Sequence, residues 1–351
     1  MNTAMAIALM FVPPIVILWL ANLADRRRSE GQTHRALAVL AHGSLILFYS
    51  LSILIGTLLF AAGRSPAPLP PASAEAYRQM GIDAAHIKPT LASIGLGLWL
   101  PPLVGIILLL RPVRRLLAHL IPIDPASTVH AVALSFSTLV VTNLLLTLSI
   151  GLGNLASAMQ TSAQGSRYNA MLAIWTQDVV LVFMALLGVG WLSRRSLSQV
   201  LQRLGLTVPK PRQAALGLGV GLVLAPIVLL IEQFAAKAGI SAGADVDKLT
   251  EALIGPLFHS LPGLLTLGLA AALGEESIFR GALQPRFGLL LTAVLFALLH
   301  SNYGLSIATL VVLGLGIVLG LVRQRANTTT SMIAHAVYNI SVGLAAYWHL
   351  F

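Results

Sequence analysis

Apolar runs of about twenty residues recur along the whole chain, separated by short segments that carry nearly all of its charge. Runs of that length match the hydrocarbon thickness of a bilayer at the α-helical rise. Only helices satisfy their own backbone groups within one apolar segment, so the pattern predicts an all-α, polytopic bundle of membrane-spanning helices. Composition agrees. Charged residues make up 10% of the 351, against about 25% in soluble domains. Mean hydropathy is +0.86. That is too little charge to coat a water-facing surface, which excludes a disordered chain, a collagen and a water-soluble enzyme. With no cysteine there is no disulfide and no thiolate metal site. The net charge of +10 would suggest nucleic acid in a soluble protein. Here the charges fall between apolar runs, as topology signals do, and no nucleic-acid partner is expected.

The runs are Thr3–Leu23, then 36–62, 91–110, 129–150, 170–192, 214–236, 257–285, 288–300, 305–322 and 328–350, about ten spans. The first has Arg26, Arg27 and Arg28 after it and no basic residue before it, the reverse of a cleaved signal, so it reads as a retained span. The run at 288–300 is too short to cross alone; it is a part-span or extends into Ser301–Gly304. Pro13-Pro14 and Pro101-Pro102 should kink their helices. Alternate loops differ in charge: 15 Lys and Arg in one set (Arg26–Arg35, Arg111–Arg115, Arg194–Arg212, Arg286, Arg323 and Arg325) against 6 in the other. The positive-inside rule makes the first set cytoplasmic and both termini external, in a cell membrane, by composition the inner membrane of a bacterium. The longest loop, 63–90, should start extended at Pro66–Pro71, with Ser73 capping a short helix through Met80. The stretch Leu204–Gln213 divides a five-span region 1–213, of open role, from a C-terminal region 214–351.

Ionisable groups inside spans are costly and are functional candidates. His42, Asp178 and Glu232 are isolated in their runs and read as buried hydrogen-bonding or snorkelling groups. His130, His259 and His349 lie near span ends, where interfacial solvation suffices. The C-terminal region differs. Glu275 and Glu276 are adjacent, and Arg280 stands at i+4 from Glu276, on the same face, so these two can pair. Glu275 is left without an in-helix partner. Phe296 and His300 follow on the next run, and His335 and Asn339 share a face on the last. At the helical rise Glu275, His300 and His335 lie roughly 16, 18 and 15 Å from the cytoplasmic ends of their helices. Level depth on three helices is unexpected of unrelated polar residues.

A carboxylate beside an imidazole can hold and deprotonate water. A second imidazole with a carboxamide can donate to a developing oxyanion. The same Glu275, His300 and His335 could instead ligate zinc, with a fourth position open. Spacing does not separate the two, and the His-Glu-x-x-His signature is absent. Against zinc, no midplane carboxylate apart from the Arg-paired Glu276 is left to hold a ligating imidazole from behind.

Glu-Glu-x-x-x-Arg, Phe-x-x-x-His and His-x-x-x-Asn, in this order on consecutive membrane runs, resemble the CAAX protease and bacteriocin-processing (Abi) family, whose eukaryotic relative is the Ras-converting prenyl-protein endopeptidase. All three motifs match, and the resemblance covers about 214–351. It implies an intramembrane endopeptidase acting on a membrane-associated peptide or protein, with a site open to the cytoplasm. Glu275 is then the base acting on water with His300, His335 and Asn339 the oxyanion pair, and Glu276 and Arg280 a supporting pair beside Phe296. The family is described both as metal-dependent and as metal-free, and the metal-free glutamate type is preferred. Two other readings remain: a secondary transporter with a midplane polar site, and a non-catalytic binding or immunity member of the family.

Overall fold

The computed structural model describes residues 3–68, 70–72, 75–76, 87–162, 167–240 and 242–348. The expected cap at Ser73, residues 77–80 of the helix expected through Met80, and His349 lie outside them; residues 75–76 of that helix are helical. Among the described residues the regular structure is helical, with no strand. The N-terminal region contains α1 (Thr3–Ser29), α2 (Arg35–Arg64), α3 (Ile87–Leu108), α4 (Arg111–Leu117), α5 (Thr128–Ile150), α6 (Leu152–Ser162), α7 (Arg167–Gly188) and α8 (Leu197–Leu204). Then follow α9 (Pro211–Lys237), α10 (Ala244–Phe258), α11 (Leu261–Glu275), a π-helical segment (Glu276–Leu283), α12 (Gln284–Leu299), a 3₁₀ turn (Ser301–Tyr303), α13 (Ile307–Arg325) and α14 (Thr328–Tyr347).

Every apolar run is helical. Eight helices are long and apolar enough to cross a bilayer, one of them the continuous stretch Leu261–Leu299. That stretch holds two expected runs, divided at Gly288, whose φ of 77° departs from the helix. The tenth run is α14, whose polar residues make it less apolar than the rest. Two details differ from the sequence reading. The run expected from 257 begins at Leu261, and the separate helix α10 precedes it. The α-helix expected through 285 becomes π-helical at Glu276. The proline pairs lie inside the continuous helices α1 and α3. The part-span at 288–300 gains the 3₁₀ turn, as its shortness required.

Two packing devices matter for the site. Helix α9 lies against α14 through Gly217 and Gly221, where an added Cβ would come within 2.8 Å of Thr330 O and 2.6 Å of Ala334 O. Small residues four apart let two membrane helices approach at backbone distance. The carboxylate of buried Asp25 on α1 caps α5: Oδ1 accepts from Thr128 N (2.8 Å) and Oδ2 from Ser127 Oγ (2.5 Å). An anion there satisfies free N–H groups and meets the positive end of the helix dipole. Asn22 Nδ2 donates to Leu187 O (2.9 Å), fastening α1 to α7.

Candidate active site

The π-helical segment begins at Glu276. Wider turns of this kind interrupt α-helices mostly at functional positions. The segment buries Glu276 and Arg280 completely, at 0% and 1% exposure. Arg280 Nη1 lies 3.0 Å from Glu276 Oε1. It lacks the alignment of a hydrogen bond, so the contact is Coulombic. The guanidinium lies over the Phe296 ring at 4.1 Å and reaches Gly316 O at 3.4 Å. The pairing expected from i,i+4 spacing is therefore present.

Glu276 also has partners on another helix. His335 Nδ1–H donates to its Oε1 (3.0 Å), and Ser331 Oγ donates to its Oε2 (2.5 Å), both from α14. Helices α11 and α14 pack antiparallel, and one turn further along α14, Asn339 Nδ2 donates to Leu267 O (3.1 Å). Phe296 joins the rest. Its ring lies 4.9 Å from that of His300 and 6.1 Å from that of His335, and meets Phe279 edge-on at 5.4 Å. His300 caps the C-terminus of α12, its Nδ1–H donating to Phe296 O (2.9 Å) and its ring stacked parallel to Tyr303. The structure thus draws Glu276, Arg280, Phe296, His300 and His335 into one contact network. Glu275 adjoins it, half-buried and within electrostatic reach of Arg280 and Tyr303. Its Oε2 is buried without a hydrogen-bond partner.

Sequence reasoning missed several residues. Asp178, read as an isolated helix residue, is 2% exposed on α7 and lies against Gly274, where an added Cβ would stand 2.7 Å from its Cα. Its charge is coupled to those of Glu275 and His335. From α5, Asn143 Nδ2 (2.8 Å) and Thr147 Oγ1 (3.0 Å) hold Ser301 Oγ in the turn after His300. Trp175 Nε1 on α7 donates to Thr266 Oγ1 on α11 (3.2 Å). Ser331 had one available signal, its place one turn before His335 on the same face. Single-helix spacing held no signal for the others. The remaining polar candidates stay outside the network: His130 Nδ1 accepts from Asp124 N (2.8 Å), His259 caps α10, and Glu232 is exposed near the end of α9.

A zinc ion can be tested against these donors. Both imidazoles are held at Nδ1, one by a carbonyl and one by a carboxylate, which leaves each Nε2 free in the manner of a metal ligand. The sequence argument that Glu276 is taken up by Arg280 does not hold, because Glu276 serves both partners. Among the described residues, however, no three His, Asp or Glu side chains converge closely enough to hold one ion.

Fold and site together define a multi-pass helical membrane protein with a buried polar centre. Residues 257–341 match the family model described as type II CAAX prenyl endopeptidase Rce1-like. In that match this segment is similar to the CAAX protease and bacteriocin-processing family, which supports an intramembrane endopeptidase of the CAAX type in general. No curated protein and no solved structure matches the chain.

Proposed function

We propose that the chain is a glutamate-type intramembrane endopeptidase that hydrolyses a membrane-associated peptide or protein at a site entered from the cytoplasm, in a bacterial inner membrane. One observation carries the reading. Of two adjacent glutamates, Glu276 is committed to Arg280, His335 and Ser331, while Glu275 keeps a buried oxygen without a partner. A carboxylate committed to three partners is structural, whereas one with an oxygen left free at a polar centre can act as a base.

The roles follow from the hydrogen bonds. With Nδ1–H turned to Phe296 O, His300 presents the lone pair of Nε2, which accepts from a water and orients it. Glu275 takes a proton from that water as its oxygen attacks the scissile carbonyl carbon. With Nδ1–H turned to Glu276, His335 donates at Nε2 when it is an imidazolium, and Glu276 is its counterion. Asn339 uses one amide hydrogen on Leu267 O and has a second for the oxyanion. Collapse of the tetrahedral intermediate breaks the C–N bond, and Glu275 returns its proton to the departing amine.

The family description makes a prenylated peptide with a C-terminal CAAX sequence one substrate to try. The direct test compares membrane proteomes of wild-type and Glu275→Ala cells. An uncleaved precursor should accumulate in the variant, and identical proteomes would return the chain to a binding or immunity role. Purified protein should carry no stoichiometric zinc and should keep its peptidase activity after strong chelation. About one zinc per chain, with activity lost on chelation and restored by zinc, would replace the glutamate base with a metalloprotease.

A further inference from the structure

Two carboxylate oxygens near the centre are buried and accept no hydrogen bond: Glu275 Oε2 on α11 and Asp178 Oδ1 on α7. They come from different halves of the chain, and the Gly274–Asp178 contact brings their helices together one residue from Glu275. Asp178 is 98% buried, and no cation forms an ion pair with it among the described residues. A buried carboxylate without a partner is destabilising, because desolvation is not repaid by a bond. An arrangement that leaves such an acceptor both on the candidate base and on the helix packed against it is an arrangement for a donor, and water supplies two hydrogens.

We propose that Asp178 is a further catalytic residue, the second carboxylate that holds the nucleophilic water. This rests on Glu275 as the base. Glu275 accepts one water hydrogen, and Asp178 Oδ1 shares the other with His300 Nε2 in a three-centre bond, while the lone pairs of the water oxygen face the scissile carbonyl. On attack the first hydrogen passes to Glu275 as a proton and then to the departing amine. The second stays on the oxygen and leaves in the new carboxylic acid, so Asp178 begins and ends the cycle unchanged. The N-terminal region then has a chemical role: α7 delivers part of the active site, and α5 holds the turn behind His300.

The test separates function from scaffolding by stability as well as rate. Asp178→Leu, Asp178→Asn and Glu275→Gln are compared with wild type in proteoliposomes, on a farnesylated, internally quenched CAAX peptide and on the precursor that accumulates in Glu275→Ala cells. Asp178→Leu should lower kcat by about 100-fold, the scale of a lost positioning group, with KM unchanged. It should also raise the melting temperature, because a buried unpaired carboxylate is replaced by an apolar side chain of similar size. Asp178→Asn keeps an acceptor oxygen and should recover part of the rate. A lower melting temperature for Asp178→Leu, or wild-type kcat in it while Glu275→Gln is inactive, overturns the assignment of Asp178 alone. Full activity in Glu275→Gln overturns the base on which it rests.

Discussion

Glu275 and Glu276 are neighbours with opposite duties, and their substitutions should separate. Glu276→Gln leaves Arg280 as a buried charge without its counterion, which costs about 3–5 kcal/mol. It also removes the acceptor that orients His335. Expression and melting temperature should therefore fall. Glu275→Gln replaces a residue with no hydrogen bond at its buried oxygen, so the protein should fold normally and be inactive. Equal stability losses, with activity kept in Glu275→Gln, would reverse the two roles. The Glu276–Arg280 pair was legible in the sequence because an i,i+4 relation lies within one helix. The His335–Glu276 bond was not, since it depends on how α14 turns its face to α11. Nor was Asp178: a lone carboxylate in an apolar run has the same pattern whether it faces lipid, a hydrogen bond or an active site.

Glycine spacing decides how closely the elements approach, and not every glycine takes part. Gly274 admits Asp178 against α11, and Gly221 admits the α14 backbone against α9, whereas a Cβ on Gly219 would meet nothing within 4 Å. Gly221→Ala should destabilise by about 1–3 kcal/mol, the usual cost of overpacking. Gly219→Ala in the same helix should be neutral or stabilise by up to about 1 kcal/mol through helix propensity. Gly274→Ala should push α7 from the site and reduce activity more than stability. Thermal melts read by the fluorescence of Trp175, which bonds across this interface, together with peptidase rates, would check all three. If Gly274→Ala keeps full activity, close apposition of α7 is not needed for catalysis. The helices themselves were legible because apolar run length fixes them, and the break at Gly288 matches the gap between two runs. The π-helical segment was not: its residues, Glu-Ser-Ile-Phe-Arg-Gly-Ala-Leu, have no periodicity that distinguishes it from α-helix. Within that turn Glu276 and Arg280 find partners on other helices.

Across the whole molecule, the basic loops that set the expected orientation are also built into the fold on one side. Arg26 donates to Ser193 O (2.9 Å), Arg28 pairs with Asp124 (2.8 Å), and buried Arg114 donates to Leu109 O (2.6 Å) and Pro125 O (3.0 Å). Arg203 and Arg323 reach the adjacent carbonyls of Gly281 and Arg280, at 3.2 and 3.1 Å. These bonds tie the basic face to the underside of the π-helical segment. Burial, and then the charges of Arg286, Arg195, Arg323 and Arg194, bring the Arg203 guanidinium down to about 10, still cationic at neutral pH. Such crowding is relieved where anionic headgroups and the cytoplasmic potential favour positive charge, so the face carrying it should be internal. The absence of native cysteine makes this directly measurable. A single cysteine at exposed Ala67, in the sparsely charged loop, should react with an impermeant maleimide added to intact cells. One at exposed Ser29, beside Arg26–Arg28, should react only after the cells are opened. The opposite pattern would turn the molecule over and place the entrance to Glu275, His300 and His335 on the external side, where a cytoplasmic substrate could not reach it.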